Sequence, residues 1–227
     1  MEYGVDQIKQ EVRIALDLNM NSAPLIAATD IDTLSLDDII ESKIEEAARL
    51  ITRDAPVYLL DGGVSFGEKD ESGVQTYSVV WFSREGLSGG YIVLPKDFLR
   101  LVSFQMSDWS RAVTVAITED NPLYAQQSSR YPGVRGCPQN PVVALVSHHI
   151  GDGLVLEFYS CTGGSGVTVK RGTYIPIPKI SADTREITIC EKLKPAVVYY
   201  TAYLTALTLG NNELAATLLN VSKELLQ

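Results

Sequence analysis

Apolar residues recur at helical spacing at both ends of the chain and at strand spacing between them. Near the start, Val5, Ile8, Val12 and Leu16 fall on one face, which predicts an amphipathic helix over 5–18. Residues 19–32 read as a loop around Pro24. Ile40, Ile44, Ala47 and Ile51 then form the apolar stripe of a second helix. Ser35 is placed to cap it, and Asp37 and Asp38 suit its positive end. Leu34 and Ile39 are spaced as a hydrophobic staple, and Pro56 stops the helix.

Beyond residue 60 the period shortens. Runs rich in β-branched and aromatic residues predict strands at 74–82, 91–94, 99–106, 142–147, 154–161, 167–171 and 187–190. Val113, Val115 and Ile117 alternate as in a half-buried strand, and residues 86–90 read as a turn. Asn121 and Pro122 open a short helix running to about 130. Many short strands with polar turns argue for an antiparallel sandwich or barrel. The chain then returns to helix. Residues 193–209 are apolar nearly all round, which predicts a buried helix, with Gly210 as its left-handed cap. Asn211 or Asn212 caps a last helix whose face is Leu214, Leu218, Val221 and Leu225. The prediction is an α+β fold. N-terminal helices (1–60) and C-terminal helices (192–227) form one bundle, packed with a β-sandwich- or barrel-like unit at 61–191.

Composition narrows the function. With 227 residues, 45% hydrophobic and 21% charged, the chain is of ordinary globular make-up and long enough to bury a core. A formal charge of −9 makes the chain a poor candidate for gripping nucleic-acid phosphates, since such affinity comes mostly from lysine and arginine. Cys137, Cys161 and Cys190 are odd in number and widely spaced, as in reduced thiols. The N-terminal residues lack the pattern of a secretory signal, so a reducing cytoplasm is the expected site of synthesis. The longest apolar run, near 196–209, is interrupted by three tyrosines and too short for a bilayer, so no membrane association is expected.

Reactive constellations are sparse. His148 and His149 are adjacent on a predicted strand and point to opposite faces, which suits neither a metal nor a catalytic pair. The glycine-rich stretch 162–166 lacks the Gly-Lys-Ser/Thr ending of a phosphate loop and reads as a hairpin turn. Asp30 and Asp32 sit in a loop before a helix, where such pairs are common without a cation. No catalytic, cofactor-binding or metal residue is assigned, and an enzyme is not expected.

Two features remain. Leu94-Pro95-Lys96-Asp97-Phe98-Leu99 joins two apolar strands. Pro95 ends the first strand, Asp97 is suited to bond nearby backbone N–H groups, and Phe98 directs a ring into the core. Tyr131, Pro132 and Arg135 lie in a loop that mixes an aromatic, a cation and flexible backbone, a candidate inter-subunit contact. Loops 62–73, 83–90 and 118–140 are long enough to reach a neighbour.

The chain resembles head–tail connector adaptors of short-tailed phages, the tail tubular protein A-like group, and within them the ring proteins of crAss-like phages. The resemblance covers nearly the whole chain. It is carried, in order, by Leu36-Asp37-Asp38-Ile39-Ile40, Arg53-Asp54-Ala55-Pro56, the Leu94–Leu99 corner and Asp120-Asn121-Pro122-Leu123-Tyr124-Ala125. Gly136-Cys137-Pro138-Gln139-Asn140-Pro141, Leu156-Glu157-Phe158-Tyr159, Tyr174-Ile175-Pro176-Ile177-Pro178 and Pro195-Ala196-Val197-Val198-Tyr199-Tyr200 complete it. The resemblance implies a non-enzymatic virion component without cofactors. It implies a homo-oligomer, a dodecameric ring at the neck that contacts the portal protein, an adjacent ring or tail proteins and passes genomic DNA without specific binding. Other expectations are a second neck or tail ring of terminator type or, in a different class, a carbohydrate- or ligand-binding β-module.

Overall fold

The computed structural model describes residues 1–16, 35–69, 75–84, 87–131, 133–148, 153–162 and 166–227. In chain order the described elements begin with β1 (Glu2–Gly4), α1 (Val5–Ala15), α2 (Leu36–Asp54), β2 (Val64–Ser65), β3 (Glu68–Lys69) and β4 (Gln75–Thr76). They continue with β5 (Val80–Arg84), β6 (Leu87–Val93), β7 (Phe98–Met106), β8 (Ile117–Thr118), α3 (Pro122–Gln126) and β9 (Val143–His148). The last are β10 (Gly153–Phe158), β11 (Val169–Pro176), β12 (Glu186–Thr188), α4 (Lys194–Thr208) and α5 (Asn212–Glu224). The fold is α+β and divides into two compact units, Met1–Asp61 with Ile177–Gln227, and Gly62–Pro176.

In the helical unit, Val5, Ile8 and Val12 of α1 and Ile40, Ile44, Ala47 and Ile51 of α2 are buried, as their spacing predicts. They share one core with Ala196, Val197, Ala202 and Ala206 of α4 and with Ala215 and Leu218 of α5. Small residues on α4 let its neighbours approach closely. Its buried hydroxyls are satisfied within the helix, Thr201 donating to Val197 O (2.8 Å) and Thr205 to Thr201 O (2.9 Å). Ser222 of α5 donates to Ala196 O at 3.0 Å and ties the two last helices together. Ser35 caps α2 in a capping box with Asp38, Gly210 adopts φ 79° after α4, and the Asn211 side chain accepts from Leu214 N. On α5 the buried face turns toward Ala215, Leu218 and Ser222, and Leu225 is exposed.

The segment 177–191, read from sequence as part of the β-rich unit, groups with the helices because β12 pairs antiparallel with β1. The N-terminal amine donates to Ile189 O at 3.1 Å and closes this ladder. Ion pairs reinforce the bundle. Arg185 sits at φ 53° and donates to both oxygens of Glu41 (2.9 Å each), while Arg13 pairs with Asp37 and Lys194 with Glu11.

In the other unit, a five-stranded sheet in the order β5-β6-β10-β9-β8 and a three-stranded sheet in the order β2-β11-β7 enclose one core. The larger sheet is mixed rather than wholly antiparallel, because β8 runs parallel to β9. Phe104, Met106, Leu156, Phe158 and Trp109 fill the core, with Phe104 and Phe158 rings 5.6 Å apart and Trp109 edge-on to Phe104 at 5.5 Å. Several predicted boundaries shift. The run 74–82 yields two strands, β4 and β5. Of the glycines placed in a turn at 86–90, Gly89 and Gly90 belong to β6, where a Cβ on Gly89 would meet Phe158 O (2.7 Å) and the Phe82 ring, and Gly86 lies outside the described residues. Strand backbone there needs room for aromatic neighbours, so these glycines are packing residues. Val113 makes only an isolated bridge to Phe104, and Val115 is 74% exposed, so the alternation near 113–117 yields just the two-residue β8. The short helix ends at Gln126, not near 130.

Candidate functional site

The corner is where the chain leaves the five-stranded sheet for the three-stranded one. Leu94 N donates to Leu154 O (3.0 Å), Phe98 N then donates back to Pro95 O (3.0 Å), and β7 begins. Asp97 is held differently from the sequence reading. Its Oδ1 accepts from the Tyr174 hydroxyl at 2.9 Å, and no backbone N–H is seen to reach it among the described residues. Phe98 stacks on the same tyrosine, with ring centroids 5.7 Å apart and planes at 18°. Burial, and then the hydrogen bond to Asp97, push the Tyr174 phenol up to about 12. Pro95, Asp97 and Phe98 therefore form a joint clamped by Tyr174 of β11. The joint offers no reactive group.

The loop after α3 is anchored from beneath. Asn121 Oδ1 accepts from Leu123 N at 2.9 Å and caps the short helix. Gln127, 3% exposed, donates to Leu123 O and accepts from Gly136 N, both at 2.9 Å. A Cβ on Gly136 would collide with the Ser160 hydroxyl, so glycine is required by close approach. Tyr131 O accepts from the backbone N–H groups of Val134 and Arg135. Tyr131 is 73% exposed, and Leu123 and Val134 are about half exposed. Arg135 is half-buried, with Nε and Nη1 shielded from water and without hydrogen-bond partners. Pro132 lies outside the described residues. Tyr131 and Arg135 share one loop, and the two predicted sites are built from separate polar contacts.

One internal cluster escaped the sequence reading. Glu157 of β10 is buried and accepts from two phenols, Tyr124 of α3 and Tyr159, each at 2.8 Å. A lone carboxylate in the apolar run Leu154–Phe158 was the available signal; Tyr159 lies two residues on, and Tyr124 becomes a neighbour only where α3 packs against the sheet. Both carboxylate oxygens being engaged, the cluster holds the loop base rather than presenting an acid.

One thiol is deeply shielded. Cys161 is buried, and burial together with the Asp108 charge pushes its thiol up to about 12. The Cys190 thiol donates to Leu59 O at 2.9 Å, and all three cysteines are free. Among the described residues no group of three or more His, Cys, Asp or Glu is placed to hold a metal ion. His149, Asp30, Asp32, Leu34 and residues 163–165 lie outside the described residues, as does the His148 side chain. Among the described residues no helix is long and apolar enough to cross a membrane.

No model of a known protein family matches the chain, and no curated protein matches it.

Proposed function

We propose that this protein is a non-enzymatic subunit of a ring in the neck of a tailed phage, placed between portal and tail and conducting DNA through its lumen. The observation that carries the reading is how its polar groups are spent. Asp97, Gln127, Glu157 and Ser160 all bond within the β unit, while Leu123 of α3 and Tyr131 and Val134 of the loop that Gln127 anchors are exposed. Rigid joints beneath an exposed aromatic and apolar loop suit a part that works by fitting against neighbours. The order of motifs that carries the resemblance also falls on a bundle of terminal helices joined to a β unit, the architecture the resemblance implies. A formal charge of −9 per subunit fits a conduit, since carboxylates facing the lumen repel phosphates and keep a duplex sliding.

Reconstruction of the native particle by electron cryomicroscopy tests the reading. The expected result is density for this chain in a closed ring at the neck. Particles lacking it there, together with a monomer that binds glycans on an array, would replace the reading with that of a carbohydrate-binding β-module.

A further inference from the structure

Asp61 is followed by Gly62, the neighbour that best lets an aspartate cyclise onto its own backbone. The aspartyl side chain places Cγ so that attack by the next amide nitrogen closes a five-membered ring, and the attack is intramolecular. Glycine at the second position has no Cβ to block the approach and leaves the backbone free to turn. Closure then depends on how the fold holds the two residues.

The fold leaves them open. Asp61, Gly62 and Gly63 are exposed and lie outside any helix or strand. Among the described residues, no hydrogen bond engages the Asp61 carboxylate or the Gly62 N–H. A Cβ on Gly62 would meet no heavy atom within 4 Å, and its backbone is outside the left-handed region. The flanks are held instead. Leu60 N donates to Val57 O at 3.1 Å. Gly63 adopts φ 73°, and a Cβ there would stand 2.6 Å from Tyr174 O. The unheld span is therefore this one pair, between two fixed points.

We propose that Asp61 is a site of spontaneous isoaspartate formation. The Gly62 amide nitrogen attacks Cγ of the neutral Asp61 carboxyl. The N–Cγ bond forms, and the carboxyl hydroxyl leaves with the amide proton as water. A second water then opens the succinimide. Attack at Cγ returns aspartate. Attack at the main-chain carbonyl carbon of residue 61 breaks its bond to the Gly62 nitrogen, and the chain thereafter runs through the side chain. The sequence of steps needs no oxidant, metal or partner chain. The product carries one more methylene in its backbone and an α-carboxylate beside it. Because Gly63 is fixed against Tyr174, the added length is taken up at 61 and 62. The modified residue stays exposed, which makes it a substrate for an enzyme that methylates isoaspartyl carboxylates.

The test is a prolonged incubation of the full, folded chain in mildly acidic buffer, sampled over time. Tryptic peptides are mapped by mass spectrometry with electron-transfer fragmentation. Isoaspartate is counted independently with an isoaspartyl methyltransferase and labelled S-adenosylmethionine. The expected result is a peptide 54–69 that loses one water and then regains it, with isoaspartate at 61 and not at Asp54. Asp61→Glu removes the signal, because the corresponding ring has one more member and closes far more slowly. Gly62→Ala lowers it, since a Cβ crowds the attacking nitrogen. Both positions are exposed, so circular dichroism of the variants should match the wild type. The other Asp-Gly of the sequence, Asp152-Gly153, falls in a separate tryptic peptide, 136–170, and is counted apart. A peptide 54–69 that stays unmodified throughout, isoaspartate confined to 136–170, or a signal in 54–69 that survives Asp61→Glu overturns the proposal.

Discussion

The two units reach stability by different means. The helical core is aliphatic throughout: isoleucine, leucine, valine and alanine meet at the centre, and tyrosines 3, 199, 200 and 203 only border it. Charged pairs tie its elements together as well, Arg185–Glu41 at the surface and Arg13–Asp37 with the arginine buried. The β core is aromatic, with Phe104, Trp109 and Phe158 in mutual contact, and its buried polar groups bond to backbone and to tyrosines, Gln127 to Leu123 and Gly136 and Glu157 to Tyr124 and Tyr159. Alanine-rich helices gain from close approach, whereas two sheets about 10 Å apart leave a gap that large rings fill best. Charge follows the same division, since nearly all the net negative charge lies on the helical unit.

The sharpest way to break this comparison is to damage one core and watch the other. Both tryptophans, Trp81 and Trp109, belong to the β unit, so their fluorescence follows that unit, while helical circular dichroism follows the bundle. Phe158→Ala should destabilise the β unit by about 3–5 kcal/mol and shift the fluorescence transition in denaturant. Ile44→Ala should cost about 2–5 kcal/mol and shift the helical signal instead. Equal shifts of both signals in both variants would mean that the cores unfold as one.

A smaller effect separates the units at alkaline pH. The folded Tyr174 phenol titrates at about 12, above its ordinary value of 10.0, so its protonated form favours folding. That contribution is complete below pH 10 and is lost as the pH rises through 10 toward 12. Tyr174→Phe should cost about 1–2 kcal/mol at neutral pH and should remove this part of the alkaline decline. Cys161 declines over a similar range, so the difference between wild type and variant in alkaline denaturation is the quantity that isolates the tyrosine. An unchanged alkaline limb in Tyr174→Phe would show that the corner clamp contributes nothing.

The smallest effect lies on the acid side and in the bundle. The hydrogen bond from Lys9 holds the Glu41 carboxyl below its ordinary value of 4.5, against some desolvation. Its contribution is complete above that ordinary value and is lost as the pH falls through the lowered one. Glu41→Gln should therefore flatten the acid limb of thermal unfolding recorded by helical circular dichroism, with the β-unit fluorescence unchanged. An acid limb that survives the substitution would assign acid sensitivity to other carboxylates.

Legibility followed the range of the interactions. The helices were readable because a buried stripe such as Ile40, Ile44, Ala47 and Ile51 repeats within one element, and caps such as Ser35 and Asn211 act within four residues. The strands were readable where β-branched and aromatic residues were dense, as in β7 and β10. Where a strand depends on a distant ring the reading failed, and Gly89 passed for a turn residue because Phe158 stands 69 positions away in sequence. The corner was found but its partner was not. Asp97 is suited to local backbone bonds, and only the pairing of β11 with β7 brings Tyr174 to it. The loop of Tyr131 and Arg135 was visible by composition, while the burial of two Arg135 nitrogens was not.

Periodicity and local capping fixed the number and kind of the main helices, the β-rich middle and the turn at Pro95, because each depends on residues within a few positions of one another. Tertiary structure decided which segments share a unit, moving 177–191 to the helices through the β1–β12 ladder, and it brought Tyr174 to Asp97 and Tyr124 to Glu157. Those choices depend on contacts between residues far apart in the chain, and a pattern read along one dimension does not contain them.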